Sequence, residues 1–302
     1  MSLVVVALGG NALIRPGERG TAAEQLANLR RAVESLAPLL REDGRVAITH
    51  GNGPQVGNEL LRQERAADEA PPLPLWLAVA QTQAEIGALI EAELRPVLDG
   101  GEAACVLTHV VVSPDDPAFD RPTKPIGPFY SAEQGERLER ERGWKMTSDA
   151  NRGHRRVVPS PLPAEIVELG VIRRLVEGGA VVIACGGGGI PVVRRGDRIS
   201  GVDAVIDKDR ASALLARGLG ASRLVILTEV PAVYRNFGEP RQTEIRELSV
   251  AEAESLLPQL AEGSMRPKVE AALSFGGETL ITSFDALDAA LAGEGGTRIG
   301  VR

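Results

Sequence analysis

Only two cysteines, Cys105 and Cys185, occur in 302 residues. Neither belongs to a CxxC pair, so no disulfide framework is available, and a reducing cytoplasm is the expected compartment. The three histidines, at positions 50, 109 and 154, lie far apart and form no HExxH or comparable spacing, a poor basis for a transition-metal site. No apolar run is long enough for a membrane span, and the run from Leu3 to Leu8 lacks the basic n-region of a signal peptide. Neither a fixed-period repeat nor a low-complexity tract is visible. The net charge of −7 argues against a chain built to coat nucleic acid or an anionic membrane, while permitting a local basic pocket.

The standard phosphate fingerprints are also missing. There is no GxxxxGK[ST], Gly51, Gly53 and Gly57 are spaced one residue too wide for GxGxxG, and the HRD and DFG signatures of protein kinases do not occur. Lysine is the scarcest charged residue: Lys124, Lys145, Lys208 and Lys268 stand against thirty arginines. A chain that decorates its surface with Arg yet keeps Lys in Pro-Thr-Lys124-Pro-Ile-Gly, Ile-Asp207-Lys208-Asp209 and Met-Arg-Pro-Lys268 points to a need for compact ammonium groups. Phosphoryl transfer has that need, because charge spreads over the transferring oxygens and catalysis is mostly positioning plus stabilisation by cations. The alternative is that these lysines are solvated residues at helix starts.

What is present is ordinary for a globular protein, at 43% hydrophobic and 25% charged residues, with 34 glycines and 20 prolines implying many tight turns. The length allows two domains or one large α/β unit. Leu3 to Leu8 reads as a strand buried on both faces, followed by a helix through Leu26, Leu29, Val33, Leu36 and Leu40 that opens on a Thr21/Glu24 capping box. Strand Arg45 to Thr49, a helix from Gln55 to about Arg65, helix Trp76 to Leu94 and a strand from Ala103 to Val112 continue the alternation, which implies a mainly parallel sheet. Pro114, Pro117, Pro122, Pro125 and Pro128 then break regular structure before a charged helix, Ala132 to Arg142, as an excursion from the sheet. The rhythm resumes with helix Ala164 to Glu177, strand Ala180 to Ala184, helix Lys208 to Leu219, strand Arg223 to Leu227, helices from Val250 and Pro267, and strands near Thr279 and Arg298.

Glycine-rich turns follow predicted strands at Gly9-Gly10-Asn11, Gly51-Asn52-Gly53-Pro54 and Gly186 to Gly189, with a less pure one at Thr228 to Tyr234. In a parallel sheet ligands sit beyond the carboxyl ends of the strands, where glycine lets backbone N–H groups approach phosphate; ordinary turn chemistry is the competing reading. Asp203, Asp207 and Asp209 surround Lys208. The i, i+2 spacing keeps Asp207 and Asp209 off one helical face, so one can orient lysines while the other caps the helix. Mg²⁺ is expected if the ligand is a nucleotide. His50 reads as a strand-end histidine bonded to backbone, and Cys105 and Cys185 as packed small hydrophobes. Arg152, Arg155 and Arg156 suit either an anion or the protein surface.

Seven stretches taken together resemble the carbamate kinases of the amino acid kinase family. They are Leu8-Gly-Gly-Asn-Ala-Leu13, His50-Gly-Asn-Gly-Pro-Gln-Val-Gly57, Pro122-Thr-Lys-Pro-Ile-Gly-Pro128, Arg156-Val-Val-Pro-Ser-Pro161, Ala184-Cys-Gly-Gly-Gly-Gly-Ile-Pro191, Val205-Ile-Asp-Lys-Asp209 and Gly263-Ser-Met-Arg-Pro-Lys268. The resemblance implies a homodimer with an α/β fold, a three-layer αβα sandwich on a mainly parallel central sheet. It also implies a half, residues 1–180, for carbamate or carbamoyl phosphate, with a small protruding subdomain at about 113–150, and a half, residues 181–302, for ATP or ADP with Mg²⁺. Gly9, Gly10, Asn11, Gly51, Asn52 and Gly53 would surround the carbamate. Lys124 would arrive from the subdomain, Lys208 and Lys268 would neutralise the transferring group, and Asp209 would orient the lysines. Gly187, Asp203, Tyr234, Met265 and Lys268 would line the nucleotide pocket, with no protein metal ligand singled out. The implied reaction is reversible transfer between ATP and carbamate, whose anionic oxygen needs no general base. Arg266, Asn151 and His154 depart from the family pattern. A kinase of the same fold with another acceptor, or a ligand-binding regulator without turnover, are the competing functions.

Overall fold

Along the strand Leu3–Leu8, Val5 and Ala7 enter one hydrophobic cluster, and Val4, Val6 and Leu8 enter another. Side chains alternate across a strand, so a continuous apolar run is what a strand buried on both faces needs. Ile172, Val176, Leu215, Leu219, Val269 and Phe275 close the first cluster, from helices Leu169–Glu177, Lys208–Leu219 and Met265–Phe275. Leu29, Val33, Ile86, Ile90 and Leu287 close the second, from helices Ala22–Ser35, Leu75–Leu94 and Leu287–Leu291. The result is an αβα sandwich around a mainly parallel sheet. The computed structural model describes residues 2–15, 17–41, 45–149, 153–261 and 263–300.

The central sheet has eight strands, in the order Glu247–Leu248, Thr297–Ile299, Glu278–Ser283, Arg223–Thr228, Leu3–Leu8, Arg45–His50, Val181–Ile183 and Ala103–Cys105. Its pairings are parallel except for that of Glu278–Ser283 with Thr297–Ile299. Val181–Ile183 lies between two strands from the first 112 residues, so a chain segment past residue 180 completes the early part of the sheet.

Helix Ala22–Ser35 begins on the expected capping box: the Thr21 hydroxyl accepts from Glu24 N–H, and Glu24 Oε2 accepts from Thr21 N–H at 2.8 Å. Its apolar spacing runs on through Leu40, but the helix breaks and restarts as Ala37–Arg41, because Pro38 cannot donate into a continuing ladder. Two other expectations need correction. The strand expected from Ala103 to Val112 is two strands in different sheets, Ala103–Cys105 and His109–Val112. The break is held by Thr108, whose N–H donates to Gln83 Oε1 at 2.6 Å and whose hydroxyl accepts from Cys185 N–H at 3.0 Å. The helix expected from Ala164 begins only at Leu169; Pro163–Ile166 is a strand antiparallel to His109–Val112, so tertiary pairing overrides local periodicity there.

The proline-rich excursion is more regular than its composition suggests. Lys124–Tyr130, Gly153–Val158 and Lys145–Asp149 form a three-stranded sheet, in that order, beside helix Ala132–Arg142. Pro125 falls on an edge strand, where a missing donor is tolerated. The register shifts between Ile126 and Tyr130, where Gly127 adopts φ +75°. Asn151 and Arg152 lie outside the described residues.

Candidate active site

Parallel register fixes where the glycine turns meet. Leu8 pairs with His50, and Ile48 with Ile183, so the turns after these three neighbouring strands open side by side at the strands' carboxyl ends. The second and third of these turns touch through glycine, and the first meets the neighbouring strand Arg223–Thr228 in the same way. A Cβ on Gly187, which adopts φ +66°, would stand 2.2 Å from Asn52 Nδ2, and one on Gly9 would stand 2.5 Å from the Leu227 carbonyl oxygen. Such contacts leave room only for backbone, the condition for N–H groups to line a small anion. Asn52 is buried and donates to Thr82 Oγ1 at 3.0 Å. Gly10 and Asn11 begin a short 3₁₀ turn, Gly10–Ala12, and Gly53 begins helix Gly53–Arg65.

Helix Lys208–Leu219 starts at the same end of the sheet, where a Cβ on Gly51 would stand 3.8 Å from Lys208 Cδ. Asp207 is its N-cap, with Oδ1 accepting from Asp209 N–H at 2.9 Å and from Arg210 N–H at 3.3 Å. The other oxygen of Asp207 accepts from Lys124 Nζ at 2.6 Å, across 83 residues of chain. Asp209 points the other way: its Oδ2 accepts from Lys268 Nζ at 2.9 Å, and its Oδ1 lies 2.7 Å from Lys208 Nζ. That second contact is an ion pair without hydrogen-bond angles, so the Lys208 ammonium has no well-formed acceptor among the described residues.

The electrostatics follow from burial and pairing. Burial pushes the Asp209 carboxyl up, but the ammonium groups of Lys208 and Lys268 outweigh it and hold Asp209 well below the ordinary carboxylate range. Burial lowers Lys208, with repulsion from Lys268 adding to it. Burial also works against charge on Lys268, yet Asp209 prevails and raises it. Three cations and two carboxylates leave one net positive charge in a desolvated place, an arrangement suited to an anion of shifting charge. His50 differs. Burial takes its pKa down to about 4, its Nδ1 meets the Gly51 carbonyl oxygen at 3.1 Å, and its Nε2 has no hydrogen-bond partner among the described residues.

The structure thus brings Lys124, Lys208, Asp209 and Lys268 together beside the turns holding Gly51, Asn52 and Gly187. Asp203 is exposed at the start of helix Leu75–Leu94, where it accepts from Trp76 N–H at 3.4 Å. Tyr234 lies in the hairpin of Val233–Arg235 with Thr243–Ile245, its ring centroid 5.9 Å from that of Phe237. Met265 opens the helix that carries Lys268. Asp207, read from the sequence as cap or orienting group, is both. Its hold on Lys124 had no local signal, since the partner sits on a distant strand. Of the departures from the family pattern, Arg266 donates to Glu270 Oε1 at 3.1 Å, and His154 lies against Gly135 inside the excursion. Arg156 stacks on Trp144, 4.4 Å from the ring centroid, and Arg155 donates to the Gly127 carbonyl at 3.1 Å. Among the described residues, no group of three or more His, Cys, Asp or Glu side chains could hold a metal ion, and no helix is long and apolar enough to cross a membrane.

Comparison with known proteins supplies the context for this geometry. The model of the amino acid kinase family matches residues 2–279. The carbamate kinase of Halobacterium salinarum is 46% identical over 305 residues, covering 99% of this chain and 98% of its own. That of Trichomonas vaginalis is 43% identical over 309 residues, covering 98% of each. Among solved structures, carbamate kinase from Giardia lamblia bound to citric acid superposes with a TM-score of 0.93 at 39% identity, over 99% of this chain and 98% of that one. Its complex with AMP-PNP gives a TM-score of 0.90 at 39% identity, with the same coverage. N-acetylglutamate synthase from Neisseria gonorrhoeae, 18% identical with a TM-score of 0.61, shares the fold alone.

Proposed function

Because the chain belongs to the amino acid kinase family and, within it, to the carbamate kinases, we propose that its lysine cluster carries a phosphoryl group between MgATP and carbamate, giving ADP and carbamoyl phosphate, with no general base. The observation that carries this reading is the pair of ammonium groups, Lys208 and Lys268, held on one shared carboxylate, that of buried Asp209. Phosphoryl transfer spreads negative charge over the equatorial oxygens, and preorganised cations stabilise it without having to reorient. Carbamate is already an anionic oxygen nucleophile, so no proton has to be removed before attack. A buried His50 with its pKa near 4 is far from the value that suits a base at neutral pH.

The turns with Gly9, Gly10, Asn11, Gly51, Asn52 and Gly53 hold the acceptor through backbone N–H groups. Lys124 reaches the same place from the subdomain. The nucleotide occupies the side formed by residues 181–302, with Gly187, Asp203, Tyr234, Met265 and Lys268 assigned to it. The AMP-PNP complex of the Giardia lamblia enzyme supports a nucleotide in this fold. Mg²⁺ bound with the nucleotide would supply positive charge to its phosphate groups. Asp207 and Asp209 are occupied by lysines, which favours a metal held mainly by phosphate and water. Assembly as a homodimer and a cytoplasmic location complete the proposal.

The test is ATP formation from ADP and carbamoyl phosphate, followed by an acceptor screen with ATP. Mg²⁺-dependent ATP and a preference for carbamate are expected. A longer carboxylate or a phosphate monoester that outcompetes carbamate would overturn the choice of acceptor.

A further inference from the structure

Gly57 lies in the second turn of helix Gly53–Arg65, where glycine is intrinsically less stable than alanine. Its surroundings explain its presence. A Cβ there would stand 1.9 Å from Gly127 Cα and 2.1 Å from Gly127 N, both backbone atoms that no rotamer change can move away. Gly127 belongs to the edge strand Lys124–Tyr130 and adopts φ +75° at the register shift. Flanking residues hold the same docking, since Val56 and Ile126 are buried in one apolar cluster with Leu75, Val79 and Val158. Arg142 on the subdomain helix pairs with Glu64 on helix Gly53–Arg65 at 2.7 Å.

Both sides of this contact lead to the site. Four residues before Gly57 is Gly53, in the turn at the helix start; three residues before Gly127 is Lys124, whose ammonium meets Asp207 at 2.6 Å. We infer that Gly57 is a positioning residue for the reaction: its bare backbone lets the subdomain strand dock closely enough to bring Lys124 to the transferring group. This rests on the reading of Lys124 in the preceding subsection. An added methyl group would have to hold the strand off by about 1.5 Å to reach ordinary carbon–carbon contact, and catalytic groups lose rate steeply over such distances.

The experiment is a double-mutant cycle of Gly57→Ala with Lys124→Ala in ATP formation, with thermal unfolding recorded for every variant. Gly57→Ala is expected to unfold cooperatively, keep its KM for ADP within about twofold, and lose about 10- to 100-fold in kcat. Adding it to Lys124→Ala is expected to cost nothing further, because it acts through Lys124. Ile126→Ala, which weakens the docking without adding an atom, is expected to show the same non-additivity, and exposed Arg62→Ala is expected to match the parent protein. Full kcat in Gly57→Ala, losses additive with Lys124→Ala in either variant, or a Gly57→Ala chain that cannot fold would overturn the inference. The last outcome would make the contact part of the core rather than a docking surface. Full activity in Lys124→Ala would instead remove the premise, a result separate from the others.

Discussion

One carboxylate shared by two buried ammonium groups stabilises the fold only while all three are charged. Asp209→Asn leaves Lys208 and Lys268 uncompensated, and a loss of about 3–5 kcal/mol in urea unfolding is expected. The pH dependence has a definite sign. The Asp209 carboxyl is lower in the folded than in the unfolded state, so its contribution is complete above about pH 4 and is lost as pH falls further. Asp209→Asn therefore loses less stability than the parent protein in that acid window. His50 acts at higher pH: the unfolded imidazole binds a proton near its ordinary 6.5, whereas the folded one resists until about 4. Stability falls between these values by about 3 kcal/mol, and the fall is expected to vanish in His50→Gln, measured by denaturant titration across that range. The sparing use of lysine, together with the three short motifs that keep it, singles out Lys124, Lys208 and Lys268 in the sequence. Spacing alone left the choice between the two flanking carboxylates open and the resemblance assigned the lysines to Asp209; the hold of Asp207 on Lys124 was not legible, because spacing along a helix says nothing about a lysine 83 residues upstream.

Elements with local signals were legible, and those made by distant pairing were not. The Thr21/Glu24 capping box and the charged helix Ala132–Arg142 follow from short-range chemistry. Pro125 and Pro128 suggested an irregular stretch, yet Lys124–Tyr130 is a strand because it sits at an edge and needs only one partner. Pro163–Ile166 likewise depends on His109–Val112, which no local pattern reveals. If the excursion closes over the site and shields an acyl phosphate from water, ligands should protect it. Limited proteolysis within 113–150 is expected to slow when ADP and carbamoyl phosphate are present; equal rates with and without them would contradict closure.

At the scale of the whole molecule, alternating strands and helices indicated a layered α/β fold, and its αβα sandwich places all three glycine turns at the carboxyl ends of neighbouring strands. The insertion of Val181–Ile183 among the early strands was not legible, since strand order in a parallel sheet is set by crossovers rather than by local sequence. Light scattering is expected to give twice the 31.9 kDa of the chain if the homodimer forms, and a monomer mass would remove it. Lysines that act in the transition state lower kcat when removed, whereas lysines that merely bind nucleotide raise KM. The most direct measurement is kcat and the KM for ADP in ATP formation by Lys268→Ala. A fall in kcat of about 100-fold or more, with KM changed only a few-fold, is expected from electrostatic stabilisation of transfer; an unchanged kcat with a raised KM would contradict it.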